Sequence, residues 1–326
     1  MEQLTDGFGR VHRDLRISVT DRCNFRCSYC MPPEGLQWLD RAELLTFEEI
    51  TRIASIAVGE FGITSIRLTG GEPTVRADLD RLVASLSPLG ADLSLTTNGT
   101  RLVSLASALV DAGLRRINVS IDSLRPERFA ELTHRDELDE VLAGLDAAQR
   151  AGLDPVKVNC VVMRGVNDDE LVDFAVFGRE RGVVVRFIEF MPLDAQGDWN
   201  AASVVSQREI VERIGAVHPL EPVGRGSEPA ERFRFIDGGG EIGVIPSVTE
   251  PFCGNCDRIR LTADGRLRNC LFAVDETDLR TVLRSGGTDA DLAQAMRSCV
   301  ADKWAGHAIG RVEFIRPPRS MSQIGG

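Results

Sequence analysis

The sequence predicts an α/β fold: a partial (βα)6 TIM-type barrel over residues 1–192, followed by a smaller α+β domain over residues 193–326. Two observations predict the α/β class. Short β-branched runs alternate with longer amphipathic runs up to residue 190, and glycine follows several amphipathic runs where a helix would end. A third observation favours the barrel, because polar segments follow five of the short runs.

The short runs are predicted to be six strands: Asp14–Thr20, Ser65–Thr69, Leu93–Thr97, Arg116–Ile121, Val156–Met163 and Val184–Phe190. The amphipathic runs between them are predicted to be helices: Thr46–Phe61, Leu79–Leu86, Leu102–Ala112, Glu137–Ala151 and Asp168–Arg181. Glycine follows four of these helices, at Gly62, Gly113, Gly152 and Gly182. The alternation indicates parallel βαβ units with right-handed crossovers.

Six βα units alone are compatible with either an open doubly wound sheet or a partial barrel. Polar segments follow five of the predicted strands, beginning at Thr20, Thr69, Thr96, Ser120 and Glu189. In α/β barrels the C-terminal rim of the strands carries the chemistry. Polar groups from five strands fit a barrel mouth better than the single crevice of an open sheet.

The pattern changes after Pro192. A helix is predicted near Ser206–Ile214, and β-like runs are predicted near Ala216–Pro222, Arg232–Ile236 and Ile242–Ile245. Two amphipathic helices are predicted near Thr277–Arg284 and Asp289–Trp304. This change predicts a domain boundary near residue 192.

Composition restricts the possible function and compartment. The net charge of -11 argues against broad nucleic-acid binding, which requires a basic face. No apolar run approaches the ~20 residues that span a bilayer, and the N-terminal segment lacks the apolar core of a signal peptide. We therefore expect a cytoplasmic protein without a membrane partner. In that compartment the 8 cysteines are better explained as metal ligands or core residues than as disulfides.

Three of the cysteines, Cys23, Cys27 and Cys30, are spaced C-x3-C-x2-C directly after the first predicted strand. Soft thiolates so close together favour iron–sulfur or zinc binding. A structural zinc site needs four ligands, so that alternative requires a distant fourth residue. A four-iron cluster held by three cysteines instead leaves one iron open to a ligand.

A second group, Cys253, Cys256 and Cys270, is spaced C-x2-C-x13-C. A turn at 262–265, with Gly265 supplying a positive φ, is predicted to join two short strands and return the third thiol to the first two. A zinc knuckle is the alternative. His218 and His307 are distant in sequence and are predicted to be surface or packing residues, while the lone Cys160 and Cys299 are predicted to be buried.

The run VTDRCNFRCSYCMP resembles the signature of the radical S-adenosylmethionine (SAM) superfamily. The resemblance implies that Cys23, Cys27 and Cys30 hold a [4Fe–4S] cluster whose fourth iron is chelated by SAM. It also implies four residues that contact SAM. These are Tyr29 near the adenine, Gly71 of the GGEP motif near the amino group, and Ser120 and Met191 at strand ends.

With LTGGEPTVR, LTTNG, RFIEFMP and PFCGNCDRIRLTADGRLRNCLF, essentially the whole chain resembles the molybdenum cofactor biosynthesis protein A family, the GTP 3′,8-cyclases. The resemblance implies a second [4Fe–4S] cluster on Cys253, Cys256 and Cys270, whose open iron binds the guanine of GTP. It also implies that the terminal Gly325 and Gly326 reach into the active site.

The family's GTP-binding positions match seven residues: Arg16, Arg67, Thr96, Lys157, Arg258, Ile259 and Arg260. A triphosphate in an acidic protein needs a local concentration of positive charge, and the arginine fork suits phosphate. Arg258 and Arg260 alternate along one strand, so both side chains point to one face. Lys157 lies in the apolar run PVKVNCVV and must either snorkel or meet an anion.

The resemblance implies that reduction of the first cluster cleaves SAM to a radical that takes hydrogen from C3′ of GTP, after which C3′ attacks C8. The expected product is (8S)-3′,8-cyclo-7,8-dihydroguanosine 5′-triphosphate, in the first step of molybdenum cofactor biosynthesis. The implied partners are a reductant of the flavodoxin or ferredoxin type and a downstream cyclic pyranopterin monophosphate synthase, and the resemblance is compatible with a homodimer.

Two other functions compete with the cyclase. One is a radical SAM enzyme that acts on a peptide and carries an auxiliary cluster. The short C-x2-C-x13-C ending and the arginine pair argue against it. The other is a non-enzymatic zinc or iron–sulfur protein that transfers electrons or scaffolds partners.

Overall fold

The computed structural model describes residues 2–32, 34–194, 197, 199–225, 228–309 and 314–325. The described residues form one twelve-stranded sheet. Its strands are β1 (Asp14–Ser18), β2 (Ser65–Thr69), β3 (Asp92–Thr97), β4 (Arg116–Ser120), β5 (Val156–Val162), β6 (Val184–Glu189), β7 (Leu220–Gly224), β8 (Glu231–Phe235), β9 (Glu241–Ile245), β10 (Arg258–Leu261), β11 (Arg266–Arg268) and β12 (Thr277–Asp278).

The described helices pack around this sheet. They are α1 (Phe47–Phe61), α2 (Leu79–Leu86), α3 (Leu102–Asp111), α4 (Pro126–Thr133), α5 (Leu138–Arg150), α6 (Leu171–Arg181), α7 (Gln207–Gly215), α8 (Leu279–Arg284), α9 (Asp289–Ala301) and α10 (Met321–Ile324). None of these helices is long and apolar enough to cross a membrane.

The sheet confirms the predicted class. Strands β1 to β6 are parallel neighbours in chain order, as the βαβ alternation predicts. β10 pairs in parallel with β1 on one side, and β9 pairs in parallel with β6 on the other. These two strands come from the segment after residue 192, so the barrel sheet includes strands from both sides of the predicted boundary. The division at residue 192 stays a prediction.

Antiparallel strands complete both edges of the sheet. β10, β11 and β12 are antiparallel neighbours at one edge, and β9, β8 and β7 are antiparallel neighbours at the other. The predicted hairpin between β10 and β11 is confirmed, with Gly265 at φ 80° in its turn. The Thr262 hydroxyl donates to Asp264 Oδ1 at 2.6 Å and fixes that turn.

Local sequence explains why α1 begins and ends where it does. The Thr46 hydroxyl accepts from the Glu49 amide at 3.2 Å, and the Glu49 carboxylate accepts from the Thr46 amide at 2.8 Å, a capping box. Gly62 ends the helix in the left-handed region at φ 69°. Between these caps, Ile50, Ile53 and other apolar residues form a buried face.

The two faces of β5 show how the sheet separates core from cavity. Val156, Val158, Cys160 and Val162 are buried, while the residues between them are half-buried. The buried face joins the hydrophobic core between sheet and helices, which confirms Cys160 as a buried apolar residue. The polar side chains of β5, those of Lys157 and Asn159, lie on the opposite face.

Three elements differ from the sequence-based expectation, and one of them is β12, which occupies the first two residues of the helix predicted near Thr277–Arg284. α4 was not expected, because the run PERFAELT is short and polar apart from a few apolar residues. The strand expected at Ala216–Pro222 is observed at Leu220–Gly224, because the amides of Val217 and His218 still bond to the Ile214 carbonyl at the end of α7.

Candidate active site

A cavity inside the curved sheet brings the two cysteine triads to one place. All six thiols line it, three from the loop after β1 and three from the segments around the β10–β11 hairpin. None of the six cysteines forms a disulfide. The fold therefore places both cysteine triads at one cavity, as a single shared site would require.

Helix α4, which the sequence did not reveal, supports the first triad. The Arg26 amide donates to the Thr133 carbonyl, and the Ser28 amide donates to the Leu132 carbonyl, both at 2.9 Å. Phe25 packs edge-on against Phe129 of α4, with ring centroids 5.8 Å apart. The loop that carries Cys23, Cys27 and Cys30 is thus held against the end of α4.

Each triad supplies three soft thiolates, a ligand type that suits both iron–sulfur clusters and zinc. Among the residues whose positions are described, no group of three histidine, cysteine, aspartate or glutamate side chains is arranged to hold a single metal ion. Three thiolates fit a cluster with one open iron, whereas a closed structural zinc site needs a fourth ligand.

The thiols of the first triad are protonated in the absence of a metal. Burial raises the pKa of Cys23 and of Cys30 to about 12, and the carboxylate of Glu72 adds to the shift at Cys23. Metal binding must therefore displace these protons, which couples loading of this site to proton release.

Cys256 of the second triad has the opposite electrostatic environment. Burial would raise its pKa, but Arg258 and Lys303 outweigh burial and lower the pKa to about 7. Arg258 Nη2 lies 3.4 Å from Cys256 Sγ, and Lys303 Nζ lies 3.5 Å from it. This thiolate is available at neutral pH.

The GGEP motif packs directly onto the first cysteine loop. The Gly71 amide donates to the Thr20 carbonyl at 2.8 Å, and the Glu72 amide donates to the Arg22 carbonyl at 2.7 Å. A side chain at Gly71 would collide with the backbone oxygens of Asp21 and Arg22, so only glycine permits this approach. The predicted SAM residue Gly71 lines the cavity.

The Glu72 carboxylate is buried and joins this loop to the end of β3. It accepts from the Thr97 hydroxyl at 2.6 Å and from the Asn98 amide at 2.7 Å. These bonds satisfy both carboxylate oxygens, so Glu72 is a structural anchor for the GGEP loop.

Asp122 is a site residue that the sequence indicated only as part of a polar segment after β4. Its Oδ2 accepts from the Tyr29 hydroxyl at 2.7 Å, and its Oδ1 accepts from the Val161 amide at 2.8 Å. Burial raises the pKa of Asp122 to about 6. Tyr29 and Asp122 line the cavity together with the predicted Ser120 and Met191.

A row of arginines forms the wall of the cavity. Arg260 of β10, Arg16 of β1 and Arg67 of β2 are in register on three adjacent strands. Burial and the neighbouring Arg67 and Arg260 lower the pKa of Arg16 well below its ordinary value. Arg16 Nε lacks a hydrogen-bond partner within the described part of the chain. The fold thus holds buried positive charge without full compensation, as an anion-binding site requires.

Arg186 adds a cation that the sequence analysis missed. It donates to Asn118 Oδ1 at 2.6 Å through Nη2 and to Asn159 Oδ1 at 2.9 Å through Nε. Burial, with Arg67 nearby, lowers its pKa to about 9. The signal was present as a charged residue in the apolar run VVVRFIEF, the same kind of signal that identified Lys157.

Two predicted GTP residues lie away from this cavity. Lys157 instead lines a polar cavity at the N-terminal ends of the strands, which it shares with Arg67 and Arg186. Its ammonium lies 3.3 Å from the Glu228 carboxylate. The Ile259 side chain is fully buried in the core, so only its backbone can face the site. Thr96 and Arg258 line the main cavity as expected.

The C-terminal tail enters the site. The Gly325 carbonyl accepts a hydrogen bond from Arg260, and Met321 lines the cavity. A side chain at Gly325 would contact Thr69 Cγ2 at 3.0 Å and Ser18 Cβ at 3.1 Å, and its φ is 86°. Glycine is therefore required for this close approach. Gly326 lies outside the described residues.

Both histidines expected to be packing residues contact aromatic rings. His218 packs on Phe235 with ring centroids 6.1 Å apart, and His307 packs on Phe272 at 5.1 Å. His307 also lines the main cavity beside the second triad, which its distance in sequence did not indicate. Burial lowers its pKa.

Comparison with known proteins assigns the chain to a class. Residues 17–178 match the radical SAM superfamily, and residues 183–309 match Molybdenum Cofactor Synthesis C. The solved structure of Streptococcus suis SuiB bound to S-adenosylmethionine gives a TM-score of 0.62 at 13% identity, covering 91% of this chain and 74% of that chain. That likeness shows the fold alone. Fold and family together define a radical SAM enzyme, a class that uses a [4Fe–4S] cluster and SAM.

Relatives of known name resolve the family. A "GTP 3′,8-cyclase" of Streptomyces coelicolor is 50% identical over 99% of this chain and 96% of its own length. The "GTP 3′,8-cyclase 2" of Mycobacterium tuberculosis is 48% identical over 99% of this chain and 92% of its own length. The chain belongs to the GTP 3′,8-cyclase family.

Proposed function

We propose that this chain cyclises GTP to (8S)-3′,8-cyclo-7,8-dihydroguanosine 5′-triphosphate, the first step of molybdenum cofactor biosynthesis. One observation carries the proposal: a single cavity is lined by two thiol triads and by a row of three arginines, of which Arg16 and Arg260 are buried. A radical source and a polyanionic substrate can both be held there. Family membership supplies the reaction.

The first triad and its neighbours bind the radical source. Cys23, Cys27 and Cys30 would hold a [4Fe–4S] cluster, and this cluster together with SAM would supply the radical chemistry that acts on C3′ of GTP. The SAM contacts in this proposal come from Tyr29, Gly71, Ser120 and Met191.

The second triad holds a second [4Fe–4S] cluster in this proposal. Cys253, Cys256 and Cys270 leave one iron open, and guanine binds there. The support is the position of the three thiols in the same cavity, with Cys256 in an electropositive environment. The family resemblance of the C-terminal segment agrees with this role.

The arginine row binds the triphosphate. One line of guanidinium groups comes from Arg16, Arg67 and Arg260, which are in register on adjacent strands. Arg258 lies two residues before Arg260 on β10. Thr96 contributes from β3, Ile259 contributes through its backbone, and Lys157 reaches the far end of the phosphate chain. Positioning by fixed charges orients C3′ and C8 and limits side reactions of the radical.

The C-terminal tail completes the site in this proposal: Gly325 contacts Arg260, and the resemblance assigns the same role to Gly326. The chain is divided into a radical SAM barrel over residues 1–192 and a C-terminal domain over residues 193–326.

A reductant of the flavodoxin or ferredoxin type supplies the electron, and a cyclic pyranopterin monophosphate synthase consumes the product. A homodimer is compatible with this arrangement.

The test is an anaerobic SAM-cleavage assay with and without GTP on the reconstituted protein and two variants. Cys27→Ser is expected to abolish SAM cleavage. Cys256→Ser is expected to retain SAM cleavage and to form no cyclised nucleotide. If the wild-type protein cleaves SAM without any effect of GTP and forms no cyclised nucleotide, the proposed function is wrong.

A further inference from the structure

A buried lysine lies behind the second triad. Lys303 follows α9 and is 4% exposed. Its Nζ lies 3.5 Å from Cys256 Sγ and donates to the Arg258 carbonyl at 2.8 Å. The chain contains only two lysines among its 38 basic residues, and the other, Lys157, lies at the opposite end of the barrel.

His12 holds the other side of this lysine. The imidazole is fully buried, and its Nδ1 lies 3.3 Å from the Leu4 carbonyl. With Nδ1 protonated toward that carbonyl, Nε2 accepts from the Lys303 ammonium at 2.8 Å. Burial and the nearby Lys303 lower the His12 pKa to about 4, so the ring is neutral and can accept this bond.

Arg10 ties the same N-terminal segment to the backbone around the triad. Its Nη1 donates to the Cys253 carbonyl at 2.7 Å and to the Ala305 carbonyl at 2.9 Å. Its Nε donates to Asp6 Oδ2 at 2.6 Å, which fixes the guanidinium. The cysteine turn, the segment after α9 and the N-terminus therefore form one rigid support for Lys303.

We propose that Lys303 is a positioning residue that hydrogen-bonds the Cys256 thiolate, holds a positive charge against the second cluster and raises the reduction potential of that cluster. The inference rests on the proposed function, because it requires a cluster at the second triad. Hydrogen bonds to cysteine sulfur and nearby positive charge both stabilise the reduced, more negative state of a cluster.

Arg258 also contacts Cys256, but the proposed function assigns that guanidinium to the triphosphate. Lys303 faces the sulfur from the side of His12 and the Arg258 carbonyl, and it is not among the described residues that line the cavity. Its contact with the thiolate therefore does not depend on the role that the proposed function gives to Arg258. A lysine suits this place because its compact ammonium has three donors, which face His12 Nε2, the Cys256 sulfur and the Arg258 carbonyl.

The test is a potentiometric titration of the full-length reconstituted protein, followed by electron paramagnetic resonance. Adding SAM identifies the signal of the first cluster, so the signal that does not respond reports the second. Lys303→Met is expected to keep about eight irons per chain. Its SAM-insensitive signal is expected to shift to lower potential by about 59 mV or more, a tenfold change in the ratio of reduced to oxidised cluster.

Two further variants make the result specific. Lys303→Arg keeps the charge and is expected to lie closer to the wild-type potential. Asp302→Asn changes the net charge by one unit at the exposed neighbouring residue and is expected to leave the potential unchanged. The first cluster's potential is expected to be the same in all variants.

Full iron content with an unmoved potential in Lys303→Met would overturn the inference. If Lys303→Met loses iron, Lys303→Gln, which retains a donor without the charge, replaces it. Loss of the second cluster from both variants, with circular dichroism and SAM cleavage intact, would also overturn it, because Lys303 would then hold the site together without tuning it. A wild-type protein with about four irons and no SAM-insensitive signal would instead contradict the proposed function.

Discussion

Arg16 is a buried cation whose charge the described residues do not fully compensate. It is 8% exposed, its Nε lacks a partner in the described residues, and its closest carboxylate, that of Asp14, lies 3.8 Å away. A buried charge without full compensation weakens the folded state, and the proposed phosphate contact would compensate it. Arg16 is therefore expected to favour GTP binding and to lower the stability of the folded protein.

We therefore expect Arg16→Gln to weaken GTP binding and not to lower thermal stability. One lost charge-assisted contact of about 1.5–3 kcal/mol corresponds to a loss of affinity of about tenfold or more. Calorimetric titration and a thermal melt measure the two effects. The control is Arg208→Gln, which removes an exposed charge on α7, away from both cavities. If both variants bind GTP with equal affinity, the assignment of Arg16 to the phosphate site is wrong.

Gly71 tests the close approach of the GGEP loop to the cysteine loop. In Gly71→Ala the new methyl group would meet the carbonyl oxygens of Asp21 and Arg22, at a cost of about 1–3 kcal/mol. We expect a lower free energy of unfolding and less iron bound by the first triad. Gly59→Ala on α1 is the matched control, because nothing lies within 4 Å of its added methyl group. Unchanged iron content in Gly71→Ala would contradict the steric argument.

At the residue scale, sequence spacing identified the six cysteines as candidate ligands, because residues that bind one metal cluster often lie close together in sequence. Asp122, Arg186 and Lys303 were not predicted as site residues. Each acquires its role from a partner far away in sequence, such as Tyr29 for Asp122 and His12 for Lys303. No local pattern in the sequence records those pairs.

The β7–β8 connection brings an acidic side chain to a predicted phosphate ligand. Glu228 lies 3.3 Å from Lys157, on the cavity that also contains Arg67 and Arg186. Arg186 and Arg116 add to the effect of Lys157 in lowering the Glu228 pKa, although burial opposes it. In the proposed function, a phosphate chain that reaches Lys157 would displace Glu228.

Glu228→Gln is expected to tighten GTP binding by roughly two- to fivefold, since a half-exposed ion pair contributes up to about 1 kcal/mol. The gain should shrink at high salt, because salt screens the pair that is removed. Glu241→Gln, which breaks a pair with Arg232 on the outer strands, is the control. Weaker binding in Glu228→Gln would show that this carboxylate assists the substrate.

At the scale of elements, periodicity predicted the six barrel strands, and the hairpin turn predicted the return of Cys270. The sequence pattern did not predict that β9 and β10 extend the parallel sheet. Their pairing with β6 and β1 joins residues that are far apart in sequence. α4 was missed because its burial depends on Phe25 and the cysteine loop, and its own amphipathic pattern is short.

At the scale of the whole molecule, the C-terminal tail is anchored to the hairpin and inserted into the barrel. Arg319 donates to both oxygens of Asp264, at 3.1 and 2.8 Å, and lies 2.9 Å from Glu276. From this anchor α10 carries Gly325 to Arg260. The resemblance predicted that the tail reaches the site, but the anchor depends on the fold.

Arg319→Ala is expected to release the tail and to reduce cyclised product about tenfold or more, by the loss of charge-assisted bonds of about 1.5–3 kcal/mol. Iron content should be unchanged, since no cysteine is touched. Arg316→Ala, which removes an exposed arginine 4.0 Å from Asp194, should retain activity. If Arg319→Ala forms product at the wild-type rate, anchoring of the tail by Arg319 is not needed for catalysis and this prediction is wrong.

The central claim is that two open irons face one cavity, one for SAM and one for GTP. The most direct measurement uses anaerobic Cys27→Ser protein, in which the second triad alone remains complete. The account predicts about four irons per chain and an electron paramagnetic resonance spectrum that changes when GTP is added. Stoichiometric zinc in place of iron, or a spectrum that GTP leaves unchanged, would contradict it.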